Sequence, residues 1–383
     1  MKIILGGVVS LWPSSPGTVW HWLQYLLGLR KLGHEVVFAE EIDAGSCVDS
    51  HGQRVPFEES ANRRVFQAIM DRFDLMDRAC LIYNQGQATA GMSLHQLSAI
   101  AKESDLLINL SGHLKTEVVL SNVKRRLYLD QDPVCTQLWC AEYGVDLNFT
   151  RHDVFVTVGL NIGTSRTPIP DCGVTWHHTL PPVVLEAWPW GIDASCKRFT
   201  TIASLRAFGE LCYQGEWYGS KHEELQRFAQ LPRMVTQEFE IAVKYYRAEE
   251  PGLRRLADDG WLFSDSSQIA DLSAYQRYIA RSRAEIGIVT NAVVKARSGW
   301  FSDRWSHYLA SGKPVLAQAT GFEDHVPTGL GIVAFRSMDE AVAGVKTINA
   351  DYVSHCRAAR DFAEAYLDYR KVLPRILEAC TGQ

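Results

Sequence analysis

The chain has 383 residues, of which 46% are hydrophobic and 22% charged, the balance of a folded globular protein rather than a disordered one. One hydrophobic core stops growing near roughly 250 to 300 residues, so the length predicts two domains. The 39 Lys and Arg against 44 Asp and Glu give a net charge of −5, without the basic excess typical of nucleic-acid-binding proteins. We expect no membrane span. The nine cysteines are scattered and lack C-x-x-C spacing, so we expect no zinc site and a reducing, cytoplasmic setting.

Strand and helix patterns alternate along the first half. Residues 2–9 form a predicted buried strand, residues 19–32 carry apolar side chains at helical spacing, and residues 34–39 begin a second strand. A strand, a helix and a strand within 40 residues indicate parallel pairing with a right-handed crossover. Further strands are predicted at 105–110, 126–129 and 154–158.

The periodicity fails between about 160 and 195, where prolines and a Trp-Pro-Trp-Gly run predict a linker. Alternation then returns, with strands predicted at 199–205, 239–243, 261–263, 284–290, 314–317 and 331–335, and helices at 272–282 and 302–310. The sequence therefore predicts an α/β protein with two doubly wound, Rossmann-like domains facing each other across a cleft. We expect the domains at 1–190 and 191–365, with a final helix at 366–383 that packs back on the first domain.

Ligands of open parallel sheets bind beyond the carboxyl ends of the strands, so the loops there are candidate sites. The first loop, residues 6–18, lacks both G-x-G-x-x-G and G-x-x-x-x-G-K-[ST], which argues against nicotinamide and P-loop chemistry. Gly6 and Gly7 would let an acceptor approach the backbone, although a plain surface turn fits equally well. His21, on the helix that follows, either faces the cleft or packs.

The most informative pattern lies at 297–322. A loop containing Gly299 leads into a predicted helix near Ser302, whose free amide groups and dipole favour an anionic ligand. Arg304, in the first turn, would add a bidentate contact to a phosphate group. The helix ends near residue 311, and the next strand begins at Lys313-Pro314.

This segment, with Ala-Ser-Gly-Lys-Pro-Val at 310–315, resembles the C-terminal half of GT-B-fold glycosyltransferases, which carry an EALA-x-G-x-P-V-type element. Residues 27–38, Leu-Gly-Leu-Arg-Lys-Leu-Gly-His-Glu-Val-Val-Phe, are similar to the first helix and second strand of that superfamily. The resemblance implies the GT-B architecture, with an acceptor bound by the first domain and a nucleotide sugar, such as a UDP-sugar, bound by the second. It implies no cofactor and no obligatory metal.

Many retaining members of the superfamily carry Glu-x7-Glu, and here Gly299 and His307 stand where the two glutamates would fall. Neither residue supplies a carboxylate, so the ribose and sugar contacts and the stereochemical outcome stay open. The chain thus resembles an uncharacterised branch, similar to glycosyltransferase family 1, that lacks this pair. We place Gly299, Ser302, Asp303, Arg304 and His307 in the predicted donor site.

The resemblance also implies a basic pair after the first strand of the C-terminal half, where it holds the donor pyrophosphate. Arg206 and Lys221 occupy that region of the sequence. Lys221 opens a helical pattern, which would bring its ammonium group near a helix N-terminus, although a solvated lysine is equally ordinary there.

Two residues of the first half are candidate bases. His113 follows the predicted strand at 105–110, and an ordinary imidazole pKa near about 6.5 suits proton transfer at neutral pH, although a hydrogen-bonded structural histidine is commoner. Asp130, in Leu-Asp-Gln-Asp-Pro, is the second candidate. An Asp-capped turn before the proline is the simpler explanation of this motif, and we discount a cation site there.

We therefore predict a metal-independent glycosyltransferase that moves a sugar from a nucleoside-diphosphate sugar to an acceptor hydroxyl. The alternatives are a nucleotide-sugar epimerase of the same fold and a non-catalytic nucleotide-sugar-binding protein. A modified DNA base is a possible acceptor, but the acidic net charge favours a small molecule.

Overall fold

The computed structural model describes residues 1–205, 209–243 and 251–381. The first domain is built on an eight-stranded sheet whose strands lie in the order β4-β3-β2-β1-β5-β6-β7-β8. The strands are β1 (Lys2–Gly6), β2 (Glu35–Ile42), β3 (Ala79–Tyr83), β4 (Ala88–Gly91), β5 (Leu106–Leu110), β6 (Arg126–Asp130), β7 (Val154–Thr157) and β8 (Trp176–His178). Its helices are α1 (Pro16–Lys31), α2 (Ala61–Arg72), α3 (Leu94–Glu103), α4 (Glu117–Leu120) and α5 (Cys135–Ala141).

Seven strands of this sheet run parallel to one another. The edge strand β4 pairs with β3 in the antiparallel direction. Strands such as β5, Leu-Leu-Ile-Asn-Leu, are buried along their whole length, because helices cover both faces of a parallel sheet. Helix α1 starts at Pro16, whose fixed φ suits a first turn, and Gly33 follows its end at a φ of +86°.

The second domain contains a six-stranded parallel sheet in the order β13-β12-β9-β14-β15-β16. Its strands are β9 (Arg198–Ala203), β12 (Glu238–Val243), β13 (Leu262–Asp265), β14 (Ala284–Gly287), β15 (Val315–Gln318) and β16 (Ile332–Phe335), and β10 (Leu211–Tyr213) and β11 (Glu216–Tyr218) form a separate hairpin. Its helices are α6 (Lys221–Arg227), α7 (Leu231–Met234), α8 (Pro251–Asp258), α9 (Leu272–Ala280), α10 (Asn291–Lys295), α11 (Asp303–Ala310), α12 (Met338–Ala350) and α13 (Tyr352–Phe362).

The final helix, α14 (Tyr369–Thr381), returns to the first domain after a π-helical turn at Ala363–Leu367. It packs on α1 at Gly28, where an added Cβ would lie 2.6 Å from Leu373 Cδ1, so the absence of a side chain permits this close approach. The two sheets lie on either side of residue 190, while the exact domain boundaries stay predictions.

An apolar seam joins the two domains. Trp188 packs between them, with its ring 5.1 Å from the ring of Trp20 and stacked 4.3 Å from the imidazole of His307. Trp20 also donates its indole N–H to the carbonyl of Leu272 at 2.9 Å. Because large buried side chains from both domains share one core, the relative placement of the domains is fixed by packing. In the described part of the chain, no helix is long and apolar enough to cross a membrane.

Candidate functional site

A pocket of about 750 Å³ opens at the carboxyl edge of the first sheet. The loops after β1, β5, β6 and β7 line it, as expected for an open parallel sheet. The second domain closes it with Trp300, Phe301 and Asp303, so the pocket belongs to both domains. The first domain contributes Trp12, Thr18, His21, Trp22, Ser111, Gly112, His113, Lys115, Tyr128, Gln131, Asp132, Thr136, Trp139, Val145, Asp146, Leu147, Val158 and Pro181.

His21 and Asp303 meet across this pocket. His21 Nδ1 on α1 lies 3.6 Å from Asp303 Oδ2 at the start of α11. Burial lowers the pKa of His21, which favours the neutral imidazole. Burial opposes ionisation of Asp303, but its neighbours, among them the charged Arg304, outweigh burial and hold the pKa of that carboxyl below its usual value. Asp303 therefore presents a charged acceptor of hydrogen bonds to the pocket, from the side of the second domain.

His113 lines the pocket after β5, as predicted from its position in the sequence. Its ring makes edge-on contacts with Trp12 and Trp22, at centroid distances of 6.2 and 5.7 Å. Burial and the nearby Lys115 lower the pKa of His113 to about 4, so the imidazole is neutral at physiological pH. A neutral imidazole in this place is able to accept a hydrogen bond from a ligand hydroxyl.

Asp130 is not available to a substrate, and its assignment as a reserve base was wrong. Its side chain is fully buried and accepts hydrogen bonds from Thr136 Oγ1 at 2.6 Å, Thr157 Oγ1 at 2.8 Å and Gln137 Nε2 at 3.0 Å. The backbone N–H of Asp132 donates a fourth, at 3.0 Å. These bonds tie the ends of β6 and β7 to the start of α5, which is a structural role.

Asp132, two residues further on, lines the pocket instead. Burial and the neighbouring Asp130 raise the pKa of Asp132 to about 7, and Ser111 Oγ donates a long hydrogen bond of 3.4 Å to it. A carboxylate whose pKa lies near the operating pH suits general base chemistry. The Asp-x-Asp spacing pointed to this place, but it did not show which of the two carboxylates is free.

Gly6 and Gly7 do not offer their backbone to the pocket, contrary to the expectation from the first loop. An added Cβ on Gly6 would lie 2.9 Å from Leu114 Cβ, and one on Gly7 would lie 2.8 Å from Trp22 Cε3. Both glycines are buried, so they serve the close packing of neighbouring side chains.

The amide groups of the same loop bind a buried carboxyl group of the chain itself. The backbone N–H groups of Val9, Ser10 and Leu11 donate to the buried carboxylate of Glu40, over distances of 2.8 to 3.1 Å. This carboxylate holds the loop in place and directs the chain to Trp12 on the pocket wall.

Arg304 follows Asp303 in α11 but does not line this pocket, and its side chain points to the sheet of the second domain. Its Nε donates to the buried carboxylate of Glu285 at 2.5 Å, and its Nη1 donates to the carbonyl oxygen of Ile202 near the end of β9. The side chain of Arg304 is 13% exposed, whereas that of Glu285 is fully buried. Burial opposes the positive charge, yet Glu285 outweighs it and raises the pKa of Arg304.

Lys221 is a second cation near Arg304, and it is half-buried at the start of α6. Burial and the positive charge of Arg304 lower the pKa of Lys221 to about 7, against the opposing effect of Glu285 and Asp303. Arg304 and Lys221, which we call the cationic cluster, thus interact electrostatically with each other and with the carboxyl groups of Glu285 and Asp303. Both cations are residues that the sequence predicted to bind a donor diphosphate.

Two polar atoms of the pair formed by Arg304 and Glu285 are buried without a hydrogen-bond partner among the described residues. They are Arg304 Nη2 and Glu285 Oε2. An unsatisfied buried donor is costly, roughly 1 to 3 kcal/mol and more when it is charged. The arrangement of the cluster therefore fits a site completed by a ligand or by water.

Gly299 lies in the seam between the domains and not at the donor cluster. At a φ of +74°, an added Cβ would lie 2.8 Å from the backbone nitrogen of Asn161. The carbonyl oxygens of Ser298 and Gly299 accept hydrogen bonds from Asn161 and Leu160, and Gly159 pairs with Trp300 as an isolated bridge. This contact joins the segment after β7 to the loop before α11.

His307 and Ser302 are inaccessible to a donor, each with 1% of its surface exposed. Besides stacking on Trp188, His307 lies with its Nδ1 3.2 Å from the hydroxyl of Tyr275. Burial lowers the pKa of His307 to about 3, so the ring is a neutral part of the interdomain core. Its predicted donor contact is therefore not supported by its position. The predicted Arg206 lies outside the described residues.

Glu285 was missed by the sequence analysis although the sequence carries a signal for it. A charged residue inside the short apolar strand Ala-Glu-Ile-Gly is unusual for a fully buried parallel strand and implies a buried partner. Trp12 and Asp132 had no comparable signal, because their exposure to the pocket depends on how the loops fold. In the described ranges, no three His, Cys, Asp or Glu side chains are grouped so as to hold a metal ion.

The two facing Rossmann-like domains form a GT-B architecture, which confirms the predicted fold. No family model matches the chain, and no curated protein sequence matches it. Among solved structures, Anabaena Alr3699/HepE in complex with UDP-glucose matches with a TM-score of 0.60 at 14% identity, and the match covers 100% of both chains. An alpha-glucosyltransferase in complex with UDP and a 13-mer DNA matches with a TM-score of 0.61 at 12% identity, again over 100% of both chains.

Proposed function

We propose that the chain is a glycosyltransferase that moves a sugar from a nucleoside-diphosphate sugar to a hydroxyl group of an acceptor. The observation that carries this proposal is the cationic cluster, in which Arg304 Nη2 is buried without a partner among the described residues and Lys221 lies close by. A diphosphate supplies acceptor oxygens for the free Nη2 of this guanidinium and for the neighbouring ammonium group.

The fold supports the choice of ligand. Structures of the same architecture were solved with UDP or UDP-glucose bound, so UDP is the first nucleotide to test on this chain. The chain would then represent a branch of these glycosyltransferases without the Glu-x7-Glu pair, because Gly299 and His307 offer no carboxylate.

In the proposed reaction, the bond between the anomeric carbon and the diphosphate breaks and negative charge develops on the leaving diphosphate. Arg304 and Lys221 stabilise this charge, and preorganised cations in a partly dry site do so most effectively. The two cations take the place of a divalent metal, so we expect transfer in the presence of a chelator. Asp303, on the pocket wall, accepts hydrogen bonds from hydroxyl groups of the donor sugar.

The acceptor hydroxyl must lose a proton as its oxygen attacks the anomeric carbon. We propose that Asp132 takes this proton, in place of Asp130, because Asp132 lines the pocket and has a pKa near the operating pH. His113 accepts a hydrogen bond from the acceptor and orients it, since its low pKa makes it a weaker base than Asp132.

Titration calorimetry with UDP tests the donor site. Arg304→Lys keeps a positive charge beside Glu285 but removes the free Nη2, so we expect UDP affinity to fall by about tenfold or more. Arg336→Lys is the matched control, because Arg336 pairs with Glu323 in a similar way at an exposed site outside the pocket. Circular dichroism establishes that both variants fold. Unchanged UDP affinity in Arg304→Lys would contradict the proposal.

The position of Asp132 and Asp303 on one pocket favours a second candidate, a nucleotide-sugar epimerase. Two carboxylates around one sugar are able to remove a proton from one face and return it from the other. Incubation with UDP-glucose and no acceptor separates the two candidates. A new epimer without release of UDP supports the epimerase, whereas UDP release that increases with an added alcohol supports transfer.

A further inference from the structure

Aromatic side chains form much of the pocket wall. The rings are those of Trp12, Trp22, Tyr128, Trp139, Trp300 and Phe301. Trp22, Tyr128 and Phe301 are buried, so the accessible aromatic surface comes from Trp12, Trp139 and Trp300. Trp12 is 48% exposed although it is among the largest apolar side chains of the molecule. An exposed tryptophan beside a deep pocket is typical of a binding surface, since its flat face is favourable for stacking with a planar ring.

The position of Trp12 is fixed before any ligand arrives. Its ring contacts His113 edge-on, and the chain that leads to it is bound through three amide groups by the buried Glu40. Val145, on the opposite loop of the pocket, is 44% exposed and extends the apolar surface at the mouth. A preorganised aromatic wall binds a rigid, flat ligand without a large entropy cost.

The charges on the pocket wall are mostly negative. Asp146 and Asp303 supply carboxylates, Asp132 adds a carboxyl group that ionises only near pH 7, and Lys115 is the one lysine or arginine among the described residues of the wall. The backbone N–H of Lys115 donates at 2.9 Å to Glu41, which adds another carboxylate at this side. His21 and His113 do not offset the carboxylates, because burial lowers the pKa of both rings.

This pattern is unfavourable for a polyanion. Duplex DNA carries one negative charge per about 1.7 Å of its axis, and proteins that bind it place several lysines or arginines along the phosphates. A flat ligand without negative charge avoids this repulsion and still gains the stacking contacts. The alpha-glucosyltransferase of similar fold was solved with DNA, so fold alone does not determine the acceptor.

Resting on the proposed function, we propose that the acceptor is a small planar aromatic or heteroaromatic alcohol, or phenol, that is neutral or positively charged. Its ring lies against the exposed Trp12, and its hydroxyl group points to His113 and Asp132. The sugar is transferred to this hydroxyl oxygen, whose proton passes to Asp132 while the donor leaves as the free nucleoside diphosphate. The carboxylates of the wall exclude anionic analogues of the same ring.

The test compares 7-hydroxycoumarin with 7-hydroxycoumarin-3-carboxylate, which share a ring system and differ by one negative charge. Binding is measured by calorimetry without a donor, at slightly acidic pH where the phenol is neutral. We expect the neutral compound to bind about tenfold more tightly, and Asp146→Asn to narrow this difference. Equal binding of the two compounds by the unmodified protein would overturn the charge argument.

Trp12→Ala tests the stacking surface, and Trp190→Ala is its control. Trp190 is also 48% exposed, but it packs near Gly312, outside the pocket. We expect Trp12→Ala to weaken coumarin binding by about tenfold and Trp190→Ala to leave it unchanged. Equal effects of the two variants would contradict the assigned role of Trp12, and Trp12→Phe, which keeps a ring, should retain most of the affinity.

Two further ligands separate this inference from the proposed function. If UDP binds and neither coumarin does, the inference fails while the proposed function stands. If 7-hydroxycoumarin binds but UDP does not, the proposed function fails. Transfer from UDP-glucose to a duplex that contains a hydroxymethylated base, with no transfer to coumarin, would show that nucleic acid is the acceptor and would overturn the inference.

Discussion

Arg304 Nε lies 2.5 Å from Glu285 Oε1, while Nη2 of the same guanidinium and Oε2 of the same carboxylate have no hydrogen-bond partner among the described residues. One strong hydrogen bond thus orients the two side chains, while one polar atom of each lacks a hydrogen-bond partner in the described part of the chain. A purely structural buried ion pair satisfies its remaining hydrogen-bonding groups, because unpaired ones are costly. This incomplete pairing is the basis for assigning the donor diphosphate to the cationic cluster.

The affinity for UDP should depend on the protonation of Lys221. Burial and Arg304 lower the pKa of Lys221 to about 7, so the ammonium form is present below this pH and is lost above it. A bound diphosphate favours the charged amine, so binding takes up a proton and weakens as pH rises through about 7. Calorimetry in buffers of different ionisation enthalpy measures this uptake. Lys221→Met should abolish it, and an unaltered proton uptake in that variant would disprove the role of Lys221.

The turnover rate should report the titration of Asp132. At saturating donor, UDP release should rise with pH through an apparent pKa near 7, because only the deprotonated carboxyl group accepts the proton of the acceptor. If His113 were the base, its pKa of about 4 would make the rate independent of pH near neutrality. Asp132→Asn should lower kcat by at least about a hundredfold. A pH-independent rate in the unmodified enzyme would exclude Asp132.

Substitution of Asp303 should affect the binding of the donor sugar and not the binding of the nucleotide. Its carboxylate faces the pocket from the first turn of α11 and is 34% exposed, so we expect it to contact the donor sugar and not the diphosphate. Asp303→Asn should therefore weaken UDP-glucose binding by about tenfold and leave UDP binding nearly unchanged. Calorimetry with both ligands checks this difference. An equal loss for the two ligands would mean that Asp303 acts on the cluster as a whole.

Asp130 should be important for stability and not for chemistry. It is fully buried and receives hydrogen bonds from three side chains, so Asp130→Ala leaves these donors unsatisfied. We expect the free energy of unfolding to fall by about 2 to 4 kcal/mol, as measured by urea denaturation. The remaining folded protein should stay active at and above neutral pH, although the loss of Asp130 lowers the pKa of Asp132. A stable but inactive variant would restore Asp130 as the base.

Most of the fold could be predicted from the sequence because the central strands are apolar runs separated by helical patterns. The strands that escaped prediction are β3, β4, β8 and the hairpin of β10 and β11. Strands β8, β10 and β11 have only three residues each, and a strand that short is specified by its pairing partners more than by its own sequence. Strand β8, Trp-His-His, lies inside the proline-rich segment that the sequence analysis assigned to a linker.

The candidate site was predictable to a smaller extent. The position of His113 on the pocket follows from its place after a strand, whereas His21 was left open between the cleft and the core. The candidates Arg304 and Lys221 came from a helix start and from the family resemblance, and they lie close enough to interact. The orientation of Asp130 and Asp132 does not follow from the sequence, because it depends on hydrogen bonds from Thr136 and Thr157 that form only in the folded chain. The alignment with the Glu-x7-Glu pattern placed His307 in the donor site, but it did not show that aromatic rings enclose this side chain.

The most direct measurement is a crystal structure of the chain with UDP. The account predicts a diphosphate oxygen within hydrogen-bonding distance of Arg304 Nη2, a second contact to Lys221 Nζ, and an intact pair between Arg304 and Glu285. A UDP molecule bound elsewhere, with Arg304 Nη2 satisfied by ordered water instead, would contradict the assignment of the donor site.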